Sequence, residues 1–410
     1  MTECVKDYDV VIIGAGPSGT VAACLLKQKG YHVLIIEKAV FPRFSIGESL
    51  LPQSMAFFEK AGLLKTIEKA GFQYKNGAAF CRGSEYEAFD FSDKTSDGWG
   101  TTFQVPRAKF DHVLADEAHS AGVDIRWNNT VKAFHYQDAQ VQLSVIDDQG
   151  LEYQQTARFV LDASGFARVL PGLLDLEAPS NFESRVSLFT HIEDNIVCEQ
   201  FDRNKILITV HSKYPEVWFW LIPFSDGRSS VGVVAKSTIL DTIEGENKEK
   251  LQTLISQAGM LAKVLEHANF DSQVGCKAGY SSNVKQLFGE GYALLGNAGE
   301  FLDPVFSSGV TIAVKSADLA VQTLDKQLQG EKPDWQQEFA APLKQGVDTF
   351  RVFVEAWYSG ELQSVIFAND KDITIKRMIS AILAGYAWDL TNPLVKNTRK
   401  LATLAQLCKS

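Results

Sequence analysis

Residues 9–19 read Asp-Val-Val-Ile-Ile-Gly-Ala-Gly-Pro-Ser-Gly. Residues 9–13 are a continuous β-branched run, the pattern of a strand buried on both faces of a parallel sheet. The turn from Gly14 to Gly19 follows at once, then a helical stretch over residues 20–28 that ends near Gly30. A second strand, residues 32–36, closes on Glu37. In that order each residue type has a task. Gly14 makes the tight turn, Gly16 lets backbone approach a pyrophosphate, and Gly19 lets helix and strand pack closely. Pro17 and Ser18 stand where the helix N-terminus offers N–H groups and its positive dipole end to phosphates. Glu37 can accept hydrogen bonds from ribose hydroxyls, and its neighbour Lys38 is assigned to the same site. A lone G-x-G-x-x-G says little; set between strand, helix, strand and acid it specifies a Rossmann-like α/β unit that binds a dinucleotide. The turn does not separate FAD from NAD.

A chain of 410 residues with 45% hydrophobic content can bury a large core and suggests two or three structural units. Its 50 Asp and Glu against 40 Lys and Arg argue against general nucleic-acid binding. Cys4, Cys24, Cys81, Cys198, Cys276 and Cys408 show no paired spacing, so neither a metal site nor a disulfide framework is expected. The opening Met-Thr-Glu-Cys-Val-Lys-Asp lacks signal-peptide features, and no apolar run is long enough to span a bilayer, so a cytoplasmic protein is expected.

Further segments narrow the ligand. Phe41 to Pro52 reads Phe-Pro-Arg-Phe-Ser-Ile-Gly-Glu-Ser-Leu-Leu-Pro; Val105-Pro106-Arg107 opens a helix; Asp162-Ala163-Ser164-Gly165 ends a strand. Leu294-Leu295-Gly296-Asn297-Ala298-Gly299 is a second glycine-bearing strand exit, followed by Phe301-Leu302-Asp303-Pro304-Val305-Phe306-Ser307-Ser308-Gly309 and a long helix over residues 310–327. In this set the chain resembles the flavin-dependent halogenases, a branch of the FAD monooxygenase superfamily. The resemblance is closest up to about Leu328.

The resemblance implies FAD as cofactor, held in addition by Arg43, Ser49, Arg107, Val131, Asp162, Asn297, Asp303 and Gly309. Relatives usually carry Asp where Asn297 stands; Asn keeps the hydrogen bond and loses the charge. Asp162-Ala163-Ser164-Gly165 replaces the Asp-Gly pair of single-component hydroxylases, so reduced FAD is expected from a separate flavin reductase. Ser308 and Gly309 are expected to hold chloride or bromide at a helix mouth. The glutamate of the tryptophan-specific enzymes is absent, with Phe306 in its place; Leu302 and Phe306 are expected in the substrate pocket. The implied route runs through a flavin C4a-hydroperoxide and hypohalous acid.

Two features carry the chemistry. Lys75, in Gly71-Phe72-Gln73-Tyr74-Lys75-Asn76-Gly77-Ala78, follows an amphipathic helix over residues 55–69 and precedes a strand over residues 78–81. By resemblance its amine directs the halogen, either by hydrogen-bonding hypohalous acid or as a haloamine. Val217 to Pro223 reads Val-Trp-Phe-Trp-Leu-Ile-Pro, a strand with Trp218, Trp220 and Ile222 on one face. It fits the family's Trp-x-Trp-x-Ile-Pro signature, ending at Pro223, and is expected to keep the substrate from the flavin.

The expected architecture is a discontinuous FAD-binding domain (residues 1–75, 100–175 and 275–330), an inserted mixed β-sheet substrate domain (76–99 and 176–274) and a C-terminal helical region (331–410). Helices are expected there over residues 335–357, 373–387 and 394–408. The cations Lys371, Lys376, Arg377, Lys396, Arg399, Lys400 and Lys409 would suit an acidic acyl or peptidyl carrier protein. The expected activity is halogenation of an electron-rich aromatic such as a pyrrole or phenol, tethered to that carrier. The alternatives are a two-component flavin hydroxylase, a saturase resembling geranylgeranyl reductases, and a non-catalytic flavoprotein scaffold.

Overall fold

The protein was analysed as a computed structural model that describes residues 8–368 and 372–409. Cys4, Lys371 and the side chain of Lys409 lie outside that description. Tyr8–Ile13 sits at the middle of a parallel sheet, between Glu152–Asp162 and Val33–Ile36, with Val10, Val11 and Ile12 fully buried. Asp124–Arg126 extends that sheet on one side and Tyr292–Leu294 on the other. This is the doubly wound arrangement that its continuous apolar strands call for.

A second sheet has seven strands in the order Gly275–Ala278, Val186–Glu193, Arg228–Ala235, Trp218–Pro223, Lys205–Val210, Gly77–Arg82, Glu85–Asp90. All its pairings are antiparallel except Lys205–Val210 with Gly77–Arg82, which is parallel. Its strands come from both expected insertion segments. One boundary differs: Gly275–Ala278, expected in the nucleotide-binding part, pairs with Val186–Phe189 in this sheet.

Trp218–Pro223 is buried on both faces. Trp218, Trp220 and Ile222 join the core shared with the nucleotide-binding sheet, while Phe219 and Leu221 pack on the opposite face with Leu188, Leu207 and Leu251. The period-2 alternation therefore separates two cores.

The expected helix over residues 55–69 is two helices, Gln53–Lys60 and Leu64–Lys69, broken where Gly62 takes φ +79°. In the C-terminal region the long Ala341–Tyr358 helix is preceded by a wider turn, Gln336–Ala340. A short helix, Glu361–Ile366, was not foreseen, and the last helical stretch is interrupted between Pro393–Lys396 and Lys400–Lys409. No helix among the described residues is long and apolar enough to cross a membrane.

Candidate active site

The loop after the first strand is built as its glycines require. Gly14 has φ +102°, in the left-handed region, and a Cβ there would stand 2.7 Å from the Ala163 carbonyl oxygen. A side chain on Gly19 would collide with the Gly14 carbonyl. The helix Pro17–Gln28 starts with Gly16 as its N-cap and no side chain capping it, which leaves its first N–H groups to a ligand. Glu37 holds the loop in place: one carboxylate oxygen accepts from Ala15 N–H at 2.8 Å and the other from Ala39 N–H at 3.0 Å.

These residues open onto a cavity of about 380 Å³. Its wall includes Gly14, Gly16, Pro17, Ser18, Glu37, Lys38, Arg43, Ser49, Arg107, Val131, Asn297 and Gly309, so most of the expected cofactor residues converge. FAD fits this arrangement: a glycine turn packed against backbone at Gly14 and Gly19, and open at Gly16, lies at an uncapped helix start with an acid at the adjacent strand end.

Arg107 reaches the cavity mainly through its neighbours. Nε and one terminal nitrogen bond both oxygens of buried Asp111 at 2.8 and 2.9 Å, and the other terminal nitrogen donates to the carbonyls of Ile46 and Gly47. Arg43 also lies 3.1 Å from Asp111. The two arginines thus share one buried carboxylate and pin the 41–52 segment beneath the cavity.

Several expected site residues do not line it, Gly19 among them. Asp162 accepts from the backbone of Ser164 and Leu170, shaping the turn that does line it. Asp303 turns its carboxylate to Val305 N–H and the Tyr358 hydroxyl, a role unlike the expected cofactor contact. Leu302 and Pro223 are buried and line neither this cavity nor the one beside Lys75. At the halide position Gly309 and Ser307 are on the wall, whereas Ser308 is buried just behind as the N-cap of the Gly309–Leu328 helix. Ser307 takes φ 56°, a left-handed conformation uncommon for serine.

Lys75 ends a short strand, Gln73–Lys75, and is fully buried, at 0% exposure. Nζ donates to Ser49 Oγ and to the Leu50 carbonyl, both at 2.7 Å, and lies 5.2 Å from the centre of the Phe91 ring. Burial without a counter-ion lowers its pKa to about 7. Beside it is a small cavity of about 10 Å³ lined by Leu51, Ala78, Phe80, Phe91, Ile208, Val305, Phe306 and Leu383. That is room for about one water molecule. Phe306 lies beside Lys75, and the helix Ile373–Leu383 closes the space through Leu383.

Trp218, Trp220 and Ile222 all line the larger cavity, with the indole centres 5.9 Å apart. Each indole N–H is bonded, Trp218 to Tyr358 and Trp220 to Ser230. Trp220 lies flat over Gly232 on the adjacent strand, where any Cβ would overlap it. The pair does not itself face the lysine cavity. The residues common to both walls are Ile206 and Ser307, and Ser49 on the flavin wall bonds Lys75 Nζ, so these three separate flavin and lysine, with the indoles further along the flavin side.

Sequence reasoning missed several wall residues. Ser187, Lys277, Tyr280 and Phe301 arrive from strands and loops far apart in sequence. Glu48, noticed only as part of a motif, is buried and pairs with His191 at 2.5 Å. No local pattern announces such contacts; they depend on how the second sheet is ordered.

A family model described as FAD binding domain matches residues 7–336. The chain is similar to a tryptophan 2-halogenase of Chondromyces crocatus, 31% identical over 340 residues, which cover 78% of this chain and 62% of that protein. It is also similar to a 1H-pyrrole-2-carbonyl-(peptidyl-carrier protein) brominase of Pseudoalteromonas luteoviolacea strain 2ta16, at 30% identity over 82% of this chain and 81% of the relative. Among solved structures, a protein from Cytophaga hutchinsonii described as a flavoprotein/dehydrogenase superposes with a TM-score of 0.96 at 43% identity, covering 98% of this chain and 99% of that one. With an FAD cradle, a buried lysine and these relatives in hand, the chain belongs to the FAD binding domain family and, within it, to the flavin-dependent halogenases.

Proposed function

We propose that the protein chlorinates or brominates an electron-rich aromatic, a pyrrole or phenol presented by an acyl or peptidyl carrier protein, with FAD reduced by a separate flavin reductase. The observation that carries this reading is Lys75: a buried amine of lowered proton affinity, one partition away from the flavin cavity. FAD held by these residues in its reduced form would supply the two electrons that dioxygen takes up; overall, reduced FAD, O2, halide, a proton and the aromatic C–H would give FAD, the aryl halide and two waters. Ser307 and Gly309 border the place for halide. The oxidised halogen passes Ile206 and Ser307 to Lys75 Nζ, which near neutrality exchanges its proton readily and serves either as donor or as amine. The aromatic enters from the opposite side after Leu383 and Phe306 move.

The carrier preference rests on the similarity to the pyrrole brominase and on three exposed tail cations, Lys396, Arg399 and Lys400. Lys376 and Arg377, expected on the same docking face, are instead paired with Glu87 and Asp93. A second reading, hydroxylation or flavin-driven reduction in the larger cavity, is favoured by one observation: at about 10 Å³ the lysine cavity is too small for an organic molecule in this conformation.

Pyrrolyl-loaded carrier, free pyrrole-2-carboxylate and free phenols are incubated with reduced FAD, oxygen and bromide, then weighed by intact mass spectrometry. A bromine isotope doublet on the carrier-bound species supports the proposal. An added oxygen that is indifferent to bromide, or turnover only without oxygen, contradicts it.

A further inference from the structure

Behind the indole pair is a buried polar group that the halogenation chemistry does not use. Trp218 Nε1–H donates to the Tyr358 hydroxyl at 2.9 Å, and that hydroxyl donates to Asp303 Oδ2, also at 2.9 Å. Asp303 Oδ1 accepts from Val305 N–H at 3.0 Å. Tyr358 is the last residue of the Ala341–Tyr358 helix, so the C-terminal region reaches the wall of the flavin cavity through one phenol. The Arg185 guanidinium lies flat on the other side, 3.5 Å from the centre of the Tyr358 ring. Tyr280 stands beside the carboxylate, though its oxygen makes no hydrogen bond of ordinary geometry among the described residues.

The direction of this chain is fixed by chemistry. An indole can only donate, and an ionised carboxylate can only accept. Tyr358 must therefore accept from Trp218 and spend its single hydrogen on Asp303.

We propose that Tyr358 and Asp303 are positioning residues that hold the Trp218 indole against the flavin cavity, and that the hold is released when Asp303 takes up a proton. Oδ1 is occupied by Val305 N–H, so the proton arrives on Oδ2, facing Tyr358. Two hydroxyl hydrogens then compete for one interval: the Tyr358 oxygen accepts from Asp303 in place of Trp218, and the hydroxyl turns away from the indole. Burial raises the Asp303 pKa to about 6, against the opposing pull of Tyr358, Val305 N–H, Arg185 and Tyr280. The release thus falls close to neutrality. Ionised Asp303 is flanked by Arg185, and the phenols of Tyr280 and Tyr358 remain protonated because burial and Asp303 raise their pKa values well above 10.

The test reads the indole directly and needs no turnover. The seven tryptophans give seven 15N-indole resonances, and Trp218→Phe identifies one of them. In the wild-type protein with oxidised FAD bound, the Trp218 resonance is expected to move with a midpoint near pH 6. In Asp303→Asn the movement is expected to vanish. In Tyr358→Phe, which keeps the ring that Arg185 covers, the resonance is expected at the position of an indole without a hydrogen bond at every pH. A wild-type resonance unmoved between pH 5 and 8, or a titration persisting in Asp303→Asn, overturns the proposal even if Tyr358→Phe fails to fold. A halogenation product that proves absent leaves this outcome unaffected.

Discussion

Lys75 offers the sharpest quantitative prediction. Its side chain is wholly buried, and the cause of its lowered proton affinity is burial alone, with no carboxylate alongside. Moving from 10.5 to about 7 corresponds to roughly 5 kcal/mol, at about 1.36 kcal/mol for each tenfold change in proton affinity. The sign follows from proton counting. Between pH 7 and 10.5 the unfolded chain holds a proton on this amine and the folded chain does not, so stability rises with pH across that window. Below pH 7 both states are protonated and the penalty is constant. Lys75→Met removes the group, so the stability difference between variant and wild type should shrink by roughly 2 kcal/mol from pH 7, where the folded amine is half protonated, to pH 9. The direct assay is NMR of protein labelled at lysine 13Cε, with Lys75→Met supplying the assignment. A midpoint near 7 is expected. A midpoint above 9.5 would refute the reasoning, because it would mean that Ser49 and the Leu50 carbonyl solvate the ammonium nearly as well as water does.

Three other substitutions probe the walls. Gly232→Ala places a methyl inside the Trp220 indole, so the ring must leave its seat; a loss of about 1–3 kcal/mol in stability and an altered near-ultraviolet dichroism are expected, with FAD affinity reduced. Arg107→Lys keeps the charge but cannot bridge Asp111, Ile46 and Gly47 together, and should weaken FAD binding by roughly tenfold or more in a fluorescence titration. Leu383→Ala should cost about 2–5 kcal/mol, yet enlarge the space at Lys75 enough for a small aromatic or xenon to bind there and raise the melting temperature of the variant but not of the wild type.

The nucleotide-binding end was legible because its signals are local. Gly14 and Gly19 act on atoms within a few residues or at the end of the adjoining strand, and the buried strands announce themselves by continuous apolar character. Lys75 and the indole face were legible for a related reason, since a motif fixed the lysine and a period of two fixed the tryptophans. What failed depends on distant partners. The partition at Ile206 and Ser307 exists only because Lys205–Val210 pairs in parallel with Gly77–Arg82. Asp303 was assigned to the cofactor from its motif, but a phenol 55 positions away claims its carboxylate. The tail cations illustrate the same limit: Lys376 and Arg377 meet carboxylates nearly three hundred positions earlier, so charge counted along the chain overstated the free basic face.

The account's central claim is that oxidant is generated in one cavity and used at a lysine in the next. A single-turnover experiment with reduced FAD, oxygen, bromide and a pyrrolyl-loaded carrier, comparing wild type with Lys75→Met, tests it most directly when flavin oxidation and aryl bromide are followed in the same sample. The account predicts that the variant oxidises its flavin at the wild-type rate and yields no aryl bromide. Aryl bromide formed by the variant at a rate close to that of the wild type would contradict it.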